Sequence, residues 1–390
     1  MSPMSKNVLV VVIALFLSTT LAELLLRNFY NPEIKSYTCP PEGHPAYTVK
    51  QCPTSQDRLS AMRFSGDLLY TPELSSSGNG WSTDAHGFRN VGPLREVLSE
   101  GAGREEIRIA VTGGSTAWGV GVTDYQTLPA MLQKRLSARC SDRRVVVWNA
   151  AISAQTSGQE RRRFETDVLP LKPHIHIAFT GFNDIYNSYT GLLPHQNRDY
   201  FEVGNHFGAK GVNDFIPGPP KIEDYSFRTL YLVSLAYFRL TYDPARVADA
   251  INRRSVGIDE TIDSSLRTAR IFANWGKDYG YEFFYVLQPS IYSTGKKLTT
   301  NEIAIRKSDE EFGNFHSRGY LRLKDALLGE GSHLNFVDSD LAIAGEENDL
   351  FIDNVHFGDR GYSMLADYLT TNLMKNSPLL LRSHCSATER

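Results

Sequence analysis

Four short runs of apolar and β-branched residues mark the middle of the chain: Ile107–Thr112 (IRIAVT), Val145–Asn149 (VVVWN), Ile175–Thr180 (IHIAFT) and Phe283–Gln288 (FFYVLQ). Each is followed by turn-forming residues, the pattern of a strand buried on both faces. A fifth strand is expected near Leu334–Val337. Helix-length segments lie between them. Thr123-Asp124-Tyr125-Gln126 has the form of a capping box opening a helix through Leu136. Gln159–Leu169, Ile262–Tyr279 and Tyr362–Met374 carry apolar residues at helical spacing. Strands alternating with helices predict βαβ units, and so an α/β protein: a parallel sheet of about five strands with helices on both faces. Its functional site belongs in the loops beyond the carboxyl ends of the strands.

Three stretches depart from the alternation. Val8–Ala22 (VLVVVIALFLSTTLA) is apolar all round, follows Lys6, and continues into Leu24-Leu25-Leu26 and Arg27. Fifteen such residues suit a signal-peptide core and about 20 span a bilayer, so residues 1–28 read as a cleaved signal or a retained membrane anchor. A buried core helix is the plainer alternative. Either favoured reading exports the rest, leaving it secreted or anchored on the periplasmic or extracellular side. Residues 29–103 are rich in Pro, Ser and Gly without a sustained period and read as an irregular lead-in with one short strand. Residues 186–260 interrupt the main domain (104–380). They hold Tyr189, Tyr200, Phe201, Phe207, Phe215 and a PGPP run, then a helical pattern over 226–242, as in a cap that touches substrate.

Composition narrows the partners. The 390 residues carry 41 Lys+Arg against 44 Asp+Glu, a net charge of −3, with no basic block to neutralise a phosphate backbone, so nucleic acid is not an expected partner. Four cysteines form no zinc-site spacing. Cys39 and Cys52 flank a Pro/Gly-rich loop and are expected to pair in an oxidising compartment. Cys140 and Cys385 are left open between free thiols and a pair.

Candidate chemistry lies at the strand ends. Gly113-Gly114-Ser115-Thr116-Ala117-Trp118-Gly119 follows the first strand, where flanking glycines can expose a serine hydroxyl. Taken singly it is a common Gly-Ser turn, and without a following Lys it is no phosphate cradle. Asp353-Asn354-Val355-His356 precedes the last helix. Its Asp can fix the His tautomer so that the other ring nitrogen takes a proton from Ser115, or it can simply cap the helix. Gly181-Phe182-Asn183-Asp184 ends the third strand, and Asn149–Ser157 follows the second. The Asn183 amide and the backbone N–H groups of Ser115 and Ala154 are candidate oxyanion donors, while Asn183-Asp184 also reads as an Asx turn or cap. His174 and His176 read as strand histidines rather than metal ligands, Arg161–Arg163 as a solvated helix face, and Trp118 equally as pocket wall or core. No metal or cofactor is expected.

These blocks together resemble the SGNH/GDSL hydrolases, with Gly114-Ser115, Asn149–Ser157, Gly181–Asp184 and Asp353–His356 in their four motifs, over residues 107–376. The resemblance implies a three-layer α/β/α flavodoxin-like fold, a Ser115-His356-Asp353 triad and an oxyanion hole of Ser115, Ala154 and Asn183. It implies esterase, lipase, deacetylase or acyltransferase activity. Gly114 stands where the family usually has Asp, and Ala154 where it has Gly. The apolar N-terminus and Gly87-Phe88-Arg89 are similar to membrane-anchored members. The expected function is hydrolysis of an ester of a small molecule, glycan or lipid. The alternatives are an O-acyltransferase of an exported polysaccharide and a non-catalytic envelope assembly or binding protein.

Overall fold

The structure, a computed structural model, describes residues 18, 45–47, 62–65, 69–78, 80–91, 105–140, 142–189, 257–383 and 385. All but Ser18 fall in one compact unit, residues 37–203 with 251–390. The N-terminal apolar run, the Cys39–Cys52 pair, residues 190–256 of the insertion and its 226–242 helical pattern lie outside the described residues. Among the described residues, no helix is long and apolar enough to cross a membrane.

Five strands form the central sheet: β1 (Glu106–Gly113), β2 (Arg144–Asn149), β3 (Ile175–Thr180), β4 (Glu282–Leu287) and β5 (Val337–Asp338). All pairings are parallel, in the order β2-β1-β3-β4-β5, the flavodoxin-like arrangement. β5 starts later than its apolar run and pairs only through Val337 and Asp338 with Val286 and Leu287.

Nine helices among the described residues cover the sheet: α1 (Ser115–Trp118), α2 (Leu128–Arg139), α3 (Ser157–Arg163), α4 (Phe182–Tyr189), α5 (Ile258–Tyr279), α6 (Thr300–Lys307), α7 (Glu310–Gly329), α8 (Asp359–Asn376) and α9 (Pro378–Arg382). Strand side chains alternate between faces. Ile107, Ile109 and Val111 of β1 join Leu132 and Leu136 of α2 and Leu365, Leu369 and Leu373 of α8 on one side. Ala110, Ala178 and Phe283 meet Leu266 and Phe272 of α5, Leu323 of α7 and Phe164 on the other.

Local chemistry moves several expected boundaries. The Thr123/Gln126 capping box closes on a short 3-10 turn, Asp124–Gln126, and a second threonine, Thr127, caps α2 by accepting from Ala130 N. The single helix expected over Gln159–Leu169 begins two residues earlier, capped by Thr156 and Gln159. It ends at Arg163 and gives way to a wide turn over Phe164–Val168 before Pro170, which offers no N–H to continue it. The described residues of the lead-in hold four short strands rather than one: Met62–Ser65 pairs with Leu69–Pro72, and Ser77–Gly78 with Trp81–Ser82. Helices α6 and α7 had no counterpart in the sequence pattern. Cys140, at the end of α2, is bonded to Cys385 across 245 residues, which settles the question left open for this pair.

Candidate active site

Ser115 opens α1 directly after β1 and is 4% exposed. Its Oγ lies 2.6 Å from His356 Nε2, across 241 positions of sequence. His356 Nδ1 lies 2.6 Å from Asp353 Oδ2. The other Asp353 oxygen accepts the backbone N–H groups of Val355 (2.8 Å) and His356 (2.7 Å), so carboxylate and imidazole share one tight turn. Burial opposes charge on Asp353, but the His356 imidazole and the hydrogen bonds from His356 and Val355 outweigh it and hold the carboxyl below its usual range. An ionised Asp353 accepts a hydrogen bond from Nδ1–H and so keeps the proton on that nitrogen, leaving Nε2 to accept from the serine hydroxyl.

The histidine turn is held from beneath. The buried Glu302 accepts the N–H groups of Leu350 (2.9 Å) and Phe351 (3.2 Å) and pairs with Lys296 at 2.5 Å. Ile291 N–H donates to Asn354 O at 3.0 Å. Thr116, beside the serine, accepts from Gln288 Nε2 at 2.7 Å and donates to Val355 O at 3.5 Å.

Asn183 opens towards the same place from α4. Its Nδ2 donates to Gln155 O at 2.8 Å, which leaves one N–H of the amide for a ligand. A Cβ at position 114 would fall 2.2 Å from that nitrogen, so the Asn183 amide fills the space that an Asp before the serine would need. Ala154 adopts φ 63°, the left-handed region where glycine is at home. Asp184 is no Asx turn: its carboxylate accepts Ser157 N–H at 2.8 Å and Ser265 Oγ–H at 2.5 Å, joining the 154–157 loop to α5. Burial raises its pKa.

Behind this loop Glu160 accepts Thr180 Oγ1–H at 2.6 Å. Burial first, with the nearby Asp184 charge adding to it, pushes Glu160 up to about 8 against the two hydroxyls that stabilise its anion. His176 is fully buried, stacks on Phe164 with centroids 3.9 Å apart, and sets Nε2 3.0 Å from Thr112 Oγ1. His174 instead meets Arg108 at the strand's start. Among the described residues there is no group of three or more His, Cys, Asp or Glu set to hold a metal.

One sequence reading needs correction. Arg163 is not on a solvated face: it is 2% exposed, donates to the carbonyls of His86 and Gly87, and lies over the Phe88 ring. Trp118, left open between pocket wall and core, lies in the core. Glu160, Gln288 and the Arg89–Asp124 ion pair, buried structural partners of these loops, carried no local chemical signal beyond the Gly-Phe-Arg triplet.

A model of the GDSL-like lipase/acylhydrolase family matches residues 111–364. The chain belongs to that family. It is an ester hydrolase of the GDSL type, and the four expected motifs all fall inside or at the edge of the match. No curated protein sequence matches it. Among solved structures it is similar to Axe2, an acetylxylan esterase from Geobacillus stearothermophilus, at 14% identity and TM-score 0.35, covering 69% of this chain and 95% of that one. It is similar to LAE5, an α/β hydrolase enzyme from the metagenome of Lake Arreo, Spain, at 14% identity and TM-score 0.37, covering 71% and 97%. It is also similar to a putative lipolytic protein of the G-D-S-L family from Desulfitobacterium hafniense, at 12% identity and TM-score 0.35, covering 68% and 99%.

Proposed function

We propose that the protein is a serine esterase or deacylase acting on an ester of a carbohydrate or lipid, with Ser115 as nucleophile, His356 as general base and Asp353 as its orienting anion. The observation that carries this is the unbroken chain from Ser115 Oγ through His356 to Asp353, with both links at 2.6 Å. His356 takes the hydroxyl proton as Ser115 attacks the ester carbonyl, then returns it to the departing alcohol. Water, activated by the same imidazole, releases the acid. The N–H groups of Ser115 and Ala154 and the second N–H of Asn183 are assigned to the tetrahedral oxyanion, where one donor contributes about 3 kcal/mol to the transition state.

Ser115→Ala is expected to cut turnover of p-nitrophenyl acetate by about 10⁴-fold or more while leaving the circular dichroism spectrum unchanged. Undiminished hydrolysis would sink the assignment. Stoichiometric capture of a fluorophosphonate at Ser115 in the unaltered protein would exclude a non-catalytic binding role.

A second reading hands the acyl group to a sugar hydroxyl of an exported polysaccharide. It is favoured by the Cys140–Cys385 bond, which suits an oxidising compartment, and by the apolar N-terminal run. The same two features support export of the protein, anchored or secreted. Incubation with an acyl donor and a glycan separates the readings, since an esterase yields free acid and no acylated glycan.

A further inference from the structure

The segment ahead of β1 reaches into the base of the site. Arg89 is 3% exposed, and each of its five N–H groups has an acceptor. Nε donates to Asp124 Oδ1 at 2.7 Å. Nη1 donates to the carbonyls of Trp118 (3.0 Å) and Gly119 (2.8 Å), and Nη2 to those of Val122 (2.7 Å) and Gly80 (3.3 Å). The guanidinium lies 5.6 Å from the centroid of the Trp118 ring, and Ser82 Oγ donates to the second Asp124 oxygen at 2.6 Å.

Three of those acceptors belong to the turn that ends α1, the four-residue helix that begins with Ser115. So short a helix has no stability of its own, and its last carbonyls lack intrahelical partners. Arg89 and Asn149 supply them: Asn149 Nδ2 donates to the carbonyls of Ala117 and Trp118 at 3.2 Å, and Arg89 N–H donates to Asn149 O at 3.0 Å. The placement of Ser115 is thus set from the far end of its own helix.

We propose that Arg89 is a positioning residue for the nucleophile, its guanidinium bracing α1 so that the Ser115 hydroxyl and N–H keep register with His356 and the oxyanion donors. The proposal rests on the reading of Ser115 as nucleophile. Arg89 lies outside the 111–364 family match and acts only through the turn it grips. A lysine carries the same charge but a compact ammonium with three donors, which cannot reach acceptors spread around a planar fork.

The test uses the full chain as wild type, Arg89→Lys, Arg89→Ala and Asp124→Asn, with active sites counted by fluorophosphonate labelling so that any misfolded fraction drops out. Arg89→Lys is expected to lose at least about tenfold in kcat per labelled site with KM changed less than about threefold, and to label more slowly in proportion. Asp124→Asn, isosteric but uncharged, should show a smaller loss of the same kind, and it decides the matter if Arg89→Lys does not fold. Added guanidinium should restore part of the kcat of Arg89→Ala. An unchanged kcat per labelled site in the folded variants overturns the proposal, however far their thermal midpoints fall. Failure of the Ser115 reading is a separate outcome: wild type would then hydrolyse ester without labelling at Ser115.

Discussion

The two faces of the sheet are built from different materials. Towards α2 and α8 the strands present Ile107, Ile109, Val111, Val145, Val147, Ile175, Ile177 and Phe179, a largely aliphatic surface with no ionisable group among those strand residues. Towards α3, α5 and α7 the same strands present Thr112, His176, Thr180 and Tyr285, and against them lie the buried carboxyls of Glu160 and Asp184. Burying such groups is costly unless they are hydrogen-bonded. Here the bonds lead somewhere: Asp184 holds Ser157 N–H and its neighbour Asn183 holds Gln155 O, so the polar face grips the loop that carries Ala154. Both faces carry an apolar core, but only the second also spends stability on the geometry of a loop.

This contrast can be broken by mutation. The largest effect is expected on the aliphatic face, where Ile109→Ala should lower unfolding free energy by about 2–5 kcal/mol in urea titrations. Its kcat per active site should stay near wild type under conditions where it is folded. A kcat loss as large as the stability loss would show that the aliphatic face also shapes the site.

On the polar face the contrast is sharpened by pH. Glu160, pushed up to about 8, keeps a proton in the folded state over a range where the unfolded chain has released it. Folded protein therefore binds more protons than unfolded between about pH 4.5 and 8. The stability this group contributes is complete below that window and is lost as pH rises through it, with a slope of up to about 1.4 kcal/mol per pH unit. Glu160→Gln cannot titrate, so its stability curve should be flatter than wild type from pH 5 to 8. Parallel curves for the two proteins would remove Glu160 as the source.

The smallest effect concerns Ala154, whose methyl group sits on a left-handed residue. Ala154→Gly relieves strain of about 1–2 kcal/mol but gives the unfolded chain more freedom, a net gain of up to about 1 kcal/mol. The thermal midpoint should rise slightly with p-nitrophenyl acetate turnover retained. A fall in the midpoint would mean that the methyl group packs usefully.

Much of this was legible in the sequence because it is local. The strands announce themselves by runs such as VVVWN and IHIAFT, and the Asp353–His356 turn closes within four residues. Helix α7 was not, for a physical reason. Its inward positions include His316, and two more are glycines, where a Cβ at Gly313 would come 2.6 Å from the Tyr292 ring and one at Gly319 2.9 Å from Ile185. Those three positions interrupt the stripe of Phe312, Tyr320, Leu323 and Leu327 that periodicity would otherwise detect. Arg89 escaped for the opposite reason: a charged residue reads as surface, and its counter-charge Asp124 is 35 positions away.

The bond between Cys140 and Cys385 has a topological consequence. It closes a covalent ring that contains His356 and the whole stretch 190–256, while Ser115 hangs just outside on the tail leading into it. A protease that severs any one peptide bond within 190–256 would therefore yield two fragments that still migrate as one molecule, and part only when a reductant is added.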